Sequence, residues 1–310
     1  MKTRYWETLE VFEEPIFARN IKFKESPLST PNGVEEIIRK NWNEQLKEKQ
    51  AQIAKVGIQA EIHNYHLDKS NNPLNALYEK GKPIMWPGPA ISLSGIRKIN
   101  NSTELIVGQT SFPYISALKN KEVSHLYEIQ GIVKPRPALG ITTFALTADE
   151  NLVLTVRGSR TNMYPGRLSG QGGNPTSTDT DITIHQIDEM KEEINLDPEH
   201  YDPNNLRING IAIDNEQLMH KTDLVGWIPI NLEAKKVREM VYQRNPNERP
   251  NDVIGVVFIS GTEGGLFKDL IERSHPVQYC PLAHGGLVLY GYHSFGKEWA
   301  KDLLDKLKDY

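Results

Sequence analysis

Glu189, Glu192 and Glu193 stand at i, i+3 and i+4 in the run Ile182-Thr-Ile-His-Gln-Ile-Asp-Glu-Met-Lys-Glu-Glu-Ile-Asn-Leu196. On a helix turning about 100° per residue, that spacing gathers the carboxylates on one face. Ile187, Met190 and Ile194 share a different face, within roughly a 60° arc. Like charges so close repel. A hard cation relieves the repulsion, because Mg²⁺ takes oxygen ligands and is held by a few carboxylates together with phosphate oxygens. A solvated acidic face is the plainer reading of this helix taken alone.

The residues upstream supply what a phosphate chemistry would need. Arg157 and Arg160 leave an apolar run, and arginine clamps phosphate in a bidentate way. A surface ion pair is the alternative for Arg157. Gly172-Gly173 follows in a loop from Pro165 to Pro175. Glycine there lets backbone amides approach a phosphate, although a lone Gly-Gly more often simply turns the chain. Glu263, in Ser260-Gly-Thr-Glu-Gly-Gly265 just past a buried strand, is a candidate general base; a solvated loop glutamate is its plain alternative. The aromatic faces of Trp86, Phe112, Tyr114 and Trp227 could stack on a base or sugar, though such residues are more often core. His63 and His66 would face opposite sides of a strand, which argues against zinc. His275, His284 and His293 read as structural or surface residues. Cys280 has no evident base partner and reads as a small buried hydrophobe.

The order strand, arginine, Gly-rich loop, acidic helix resembles the Nudix hydrolase family. Its box ends in Arg-Glu-apolar-x-Glu-Glu-x-Gly-apolar. The matching positions here are Glu189, Met190, Glu192, Glu193 and Leu196, with Asp188 in place of the arginine and Asn195 in place of the glycine. Asn is the non-glycine residue that best tolerates a left-handed turn. The proximal acid falls on Asp179, with Thr180 and Asp181 as rivals. The chain is also similar to a divergent branch, the UDP-glucose and UDP-galactose diphosphatases of animals, which lack the same arginine. That likeness touches the helix Val34–Leu46 with Trp42, the run Val107-Gly108-Gln109-Thr110-Ser111, and Tyr279-Cys280-Pro281-Leu282-Ala283-His284-Gly285.

The resemblance implies a Nudix-type mixed-sheet sandwich. Glu189, Glu192 and Glu193 would bind Mg²⁺, with Mn²⁺ as a substitute. The reaction would be hydrolysis of a nucleoside diphosphate-sugar to a nucleoside monophosphate and a sugar 1-phosphate. Another linked nucleoside diphosphate, such as ADP-ribose or a dinucleotide, is a second reading. A catalytically silent nucleotide-binding or interaction module is a third.

Periodicity predicts the elements that must position these groups. A helix is expected from about Gly33 to Lys55, capped by Asn32 with Glu35, then a strand near Gln59–Leu67 and long loops over 68–104. Residues 1–30 read as extended segments broken by Pro15 and Pro27. Beyond Lys134-Pro135-Arg136-Pro137, strands are expected at Ile141–Thr147, Leu152–Arg157, Leu206–Ile213, Asp223–Ile230 and Val253–Ser260. Helices are expected at Ile182–Leu196, at Leu232–Tyr242 capped by Asn231, at Leu266–Ser274 and at Phe295–Leu307. The predicted class is α/β (α+β): an N-terminal α/β portion over 1–134, then the Nudix-like domain over 135–310.

The bulk numbers agree with a folded small-molecule enzyme. The 310 residues are 38% hydrophobic and 25% charged, enough to build a core. A net charge of -4 offers no basic surplus for nucleic acid. The single cysteine fits a reducing compartment, and neither a secretory signal nor an apolar run long enough to span a bilayer is visible. The expectation is a cytoplasmic protein binding a small nucleoside diphosphate. Oligomeric state leaves no signal.

Overall fold

A computed structural model describes residues 1–55, 57–65, 74–85, 87–99, 102–118, 120–135, 138–158, 161, 163–216, 221–243, 253–273 and 278–307. Arg160, His66, Trp86 and His275 lie outside the described residues. The N-terminal part contains β1 (Trp6–Phe17), β2 (Ile21–Glu25), α1 (Val34–Ala54), β3 (Glu61–Tyr65), β4 (Leu74–Glu79), β5 (Lys82–Met85), β6 (Pro89–Ile99), β7 (Ser102–Ser111), α2 (Phe112–Ala117) and α3 (Lys121–Ile129). Then come β8 (Leu139–Leu146), β9 (Asn151–Arg157), β10 (Leu168–Ser169), α4 (Ile182–Ile194), β11 (Arg207–Asp214), β12 (Thr222–Pro229), α5 (Ala234–Gln243), β13 (Val253–Ser260), α6 (Glu263–Glu272), α7 (Pro281–Phe295) and α8 (Lys297–Leu307). The class is mixed α/β, as expected from the alternation of strands and helices.

The principal sheet runs β1-β11-β12-β8-β9-β10, with β13 on the other edge of β9. Only β12 and β8 run parallel within it. Side chains on β8 alternate between faces. Leu139, Ile141 and Ala145 meet Ile182, Met190 and Ile194 of α4 and Val237 of α5. Phe144 turns the other way, to α6, α7 and α8. The acidic helix is thus held by its apolar stripe against one face of the sheet, which leaves its carboxylates toward the rim.

Several expectations are corrected. Residues 68–104 do not form long loops where they are described: β4, β5 and β6 fall there, and β7 begins there. The Lys80-Gly81 pair, with φ of 49° and 78°, turns β4 into β5, and paired positive φ values are what a tight hairpin turn demands. Glycines and prolines that read as loop punctuation mark hairpins instead. Pro15 does not break β1. It lies in the irregular stretch between Val11 and Ile16, where an edge strand tolerates it. Because β1 pairs with β11, the main sheet draws a strand from across the division placed at 134. Asn32 does not cap α1; its backbone exchanges hydrogen bonds with the Gln130 side chain, and Gly33 enters the helix at φ 82°. Asn231 does not cap α5 either, since the Ala234 amide donates to Asp149 Oδ1 at 2.9 Å. Helix α7 escaped the pattern entirely. It is buried almost all round, so it carries no polar stripe to reveal it.

At the foot of α7, Trp6 Nε1–H donates to His284 Nδ1 at 2.8 Å, which assigns the imidazole proton to Nε2. Burial pushes the His284 pKa down to about 4. The unfolded imidazole protonates below about pH 6.5, so between these values the unfolded chain binds the extra proton. Stability from this group is complete above about pH 6.5 and falls toward pH 4, by about 3 kcal/mol. Urea unfolding across that range should show the slope, and His284→Gln should flatten it.

Candidate functional site

The site begins where β8 and β9 part. Their ladder closes only at Leu146↔Leu152. Beyond that pair the strands diverge, and the segment 168–173 threads between them. It pairs first with β9 through Leu168↔Val156 and Ser169↔Thr155, then with β8 through Thr143↔Gln171. Gln171, fully buried, fills the fork. Its Oε1 accepts from the Ala145 amide at 3.0 Å, and its Nε2 donates to the Val153 carbonyl at 2.9 Å. This plug delivers Gly172 and Gly173 to the rim, where the Ile141 amide donates to the Gly173 carbonyl at 2.9 Å.

Both glycines are required by what approaches them. Gly172 adopts φ 150°, and a Cβ there would lie 1.9 Å from the Ile141 carbonyl oxygen. A Cβ on Gly173 would lie 2.1 Å from Glu189 Oε1. The Glu189 carboxylate therefore rests on the glycine loop itself. Helix α4 starts cleanly because Asp181 caps it, accepting from the Thr183 and Ile184 amides at 2.8 and 3.1 Å. Asp181 is thus engaged as a cap, and Asp179 is exposed beside it. The helix ends at Asn195, whose φ of 57° is the left-handed turn expected of it.

Glu192 is exposed, while Glu189 and Glu193 are half-buried. The three do not form a ready-made cage: among the described residues no group of three or more His, Cys, Asp or Glu is arranged to hold a metal ion. The donor chemistry still fits Mg²⁺, which keeps several waters and needs one or two carboxylates plus substrate phosphate rather than a protein cage.

His185 was missed, although its spacing of four residues from Glu189 was a usable signal. Its Nε2 lies 3.6 Å from Glu189 Oε1. Burial lowers its pKa, against a hydrogen bond to the Gly173 backbone that raises it. Lys221 and Asp223 also border this end of the sheet. They lie far away in sequence, so spacing gave no warning of them.

The other candidates divide. Arg157 closes β9 at the same end, half-buried, with Nε donating to the Met163 carbonyl at 2.9 Å; part of its guanidinium holds its own loop. Glu263 is not brought to the site. It is exposed at the start of α6, just past Gly261, whose amide binds the Glu150 carbonyl at the β8–β9 turn. From that turn back to Ile141 is roughly 16 Å of strand. Phe112 packs under α1, the Tyr114 hydroxyl bonds that of Tyr127, and Trp227 stands edge-on to Tyr290; all three are packing residues. His63 pairs with Glu61. Cys280 is buried, which pushes its thiol up to about 11.

The N-terminal part touches both loops that frame the site. Gln109 Nε2 donates to the Thr176 carbonyl at 3.0 Å, and Lys49 Nζ to the Thr161 carbonyl at 3.2 Å. Among the described residues no helix is long and apolar enough to cross a membrane.

No protein-family model matches this chain, and no curated protein matches it. Among solved structures 31 chains match. One is the crystal structure of DR0079 from Deinococcus radiodurans, 15% identical, with a TM-score of 0.28 over 44% of this chain and 73% of that one. A superposition this loose leaves fold family and function to the residues themselves.

Proposed function

We propose that this chain is a cytoplasmic Nudix-type diphosphatase that hydrolyses a nucleoside diphosphate-sugar to a nucleoside monophosphate and a sugar 1-phosphate, with Mg²⁺ as cofactor. The observation that carries the reading is the seat of Glu189 on Gly173. It joins a glycine-rich loop to a helix face bearing two further carboxylates.

Glu189 and Glu193, half-buried and anchored by the apolar stripe of α4, would hold the cation. When bound, it neutralises diphosphate charge and lowers the pKa of a coordinated water. Glu192, the most exposed of the three, accepts the proton of the attacking water in this reading. Glu263 is too remote for that role. Arg157 stands at the same rim to meet the diphosphate.

A nucleoside diphosphate-sugar is favoured over ADP-ribose because of the likeness to the animal UDP-sugar enzymes. Phe112, Tyr114 and Trp227 are partly buried and packed against core clusters, and Trp86 lies outside the described residues, so this preference does not rest on a stacking platform. With Mg²⁺ present, kcat/KM for UDP-glucose or UDP-galactose should exceed that for ADP-ribose. A value for ADP-ribose equal to both would remove the uridine preference and keep the diphosphatase. Tight nucleotide binding without turnover of any of the three, with either Mg²⁺ or Mn²⁺, would replace the enzyme by a silent binding module.

A further inference from the structure

His185 and Gln186 are consecutive on α4, and both turn toward the segment that carries the glycine pair. Gln186 is buried, and its Nε2 donates to the Gln171 carbonyl at 3.3 Å. The His185 imidazole meets the Gly173 backbone, two residues further along. The helix is already regular here, since the His185 amide donates to the Asp181 carbonyl at 2.9 Å. Two neighbouring side chains therefore latch α4 to alternate residues of the segment threaded through the β8–β9 fork.

The same imidazole stands against Glu189. Side chains on a helix lean toward its N-terminus, onto the residue four positions earlier, and for Glu189 that residue is His185. His185 Nε2 lies 3.6 Å from Glu189 Oε1. This nitrogen is buried and has no hydrogen-bond partner among the described residues. The same oxygen, Oε1, is the atom that a Cβ on Gly173 would meet at 2.1 Å. One carboxylate oxygen is thus bounded by both the ring and the glycine. Lys191, the other basic residue of α4, pairs with Asp197 at 3.0 Å. The His185 and Glu189 side chains are 16% and 22% exposed, so little water competes for the contact. A separation of 3.6 Å is longer than a hydrogen bond, so the ring acts first as a stop on rotation of the carboxylate. A ligand oxygen held in this way loses less freedom when a cation binds, and removing an outer partner of a metal ligand costs about 10–100-fold in metal affinity.

We propose that His185 is a positioning residue that keeps the Glu189 carboxylate seated on Gly173 and thereby raises the affinity of α4 for its divalent cation. The role rests on the cation site of the hydrolase reading, but it is testable without turnover. Mn²⁺ is titrated into the wild-type chain, His185→Leu and His185→Gln, with the free ion read by electron paramagnetic resonance and the fold checked by a thermal melt. Leucine removes both ring nitrogens, whereas glutamine keeps an amide donor. His185→Leu should bind Mn²⁺ at least about tenfold more weakly, while His185→Gln stays close to wild type. On a nucleoside diphosphate-sugar, the Mg²⁺ concentration for half-maximal rate should rise in His185→Leu by a similar factor, with a much smaller change in kcat at saturating Mg²⁺. Should His185→Leu fail to fold, His185→Ala carries the same readout. A folded variant without the imidazole that binds Mn²⁺ as tightly as wild type overturns the positioning role and leaves the hydrolase reading standing. Equal loss of Mn²⁺ affinity in His185→Leu and His185→Gln also overturns it, because the ring would then act through packing alone. A wild-type chain that binds no Mn²⁺ overturns the cation site itself, and the role of His185 with it.

Discussion

Glu193→Gln should lower kcat on the preferred substrate by roughly a thousandfold, about 4 kcal/mol of transition-state stabilisation, with the melting temperature close to wild type. The side chain is half-buried on α4. Glutamine preserves its shape and its capacity to hydrogen-bond, but it removes the charge that a hard cation requires. The apolar stripe that holds the helix is Ile187, Met190 and Ile194, which the substitution leaves untouched. Loss of activity together with loss of the fold would be uninformative in most proteins; here the two are separable because the liganding face and the packing face are distinct. The readout is kcat at saturating Mg²⁺ beside a thermal melt. Wild-type kcat in the variant would remove Glu193 from the metal site.

The second large effect is on stability. Gln171→Leu should destabilise the fold by about 4 kcal/mol, because it strands the Ala145 amide and the Val153 carbonyl inside the fork, at about 1–3 kcal/mol for each unpaired buried group. Leucine is close to glutamine in volume, so the cost is assigned to hydrogen bonding rather than to a cavity. The same change loosens the segment that carries Gly172 and Gly173. Urea unfolding measures the first effect. Activity of the folded fraction measures the second and should fall as well. A variant as stable as wild type would show that the fork is satisfied in some other way.

Much of the C-terminal part was legible in the sequence. Val253–Ser260 was read to the residue, and the β8–β9 hairpin and the acidic helix to within a few. These elements declare themselves by short periods: two for a half-buried strand, and a stripe of Ile187, Met190 and Ile194 for the helix. Helix α7 did not, because burial on nearly every side erases the polar phase that reveals a helix. The strands between residues 74 and 111 were hidden by the turn residues that connect them.

The site was legible only where it is local. Glu189, Glu192, Glu193 and the glycine pair are near neighbours in sequence, and the spacing of four that joins His185 to Glu189 was there to be read. Gln171, Lys221 and Asp223 reach the rim through strand pairing, which no local pattern encodes. Glu263 illustrates the converse. Its position after a buried strand suggested a catalytic loop, yet the antiparallel pairing of β13 with β9 carries it to the opposite end of the sheet.

The central claim is that this chain splits a diphosphate linkage with water under the control of a divalent cation held by α4. The most direct test is phosphorus NMR of UDP-glucose incubated with the purified chain in ¹⁸O-enriched water, with Mg²⁺ and then with excess chelator. The account predicts stoichiometric uridine monophosphate and glucose 1-phosphate, one of them carrying a single ¹⁸O, with formation abolished by chelator and restored by Mg²⁺ or Mn²⁺. Product formation at an unchanged rate in chelator, or no cleavage of UDP-glucose, UDP-galactose or ADP-ribose with either metal, would contradict it.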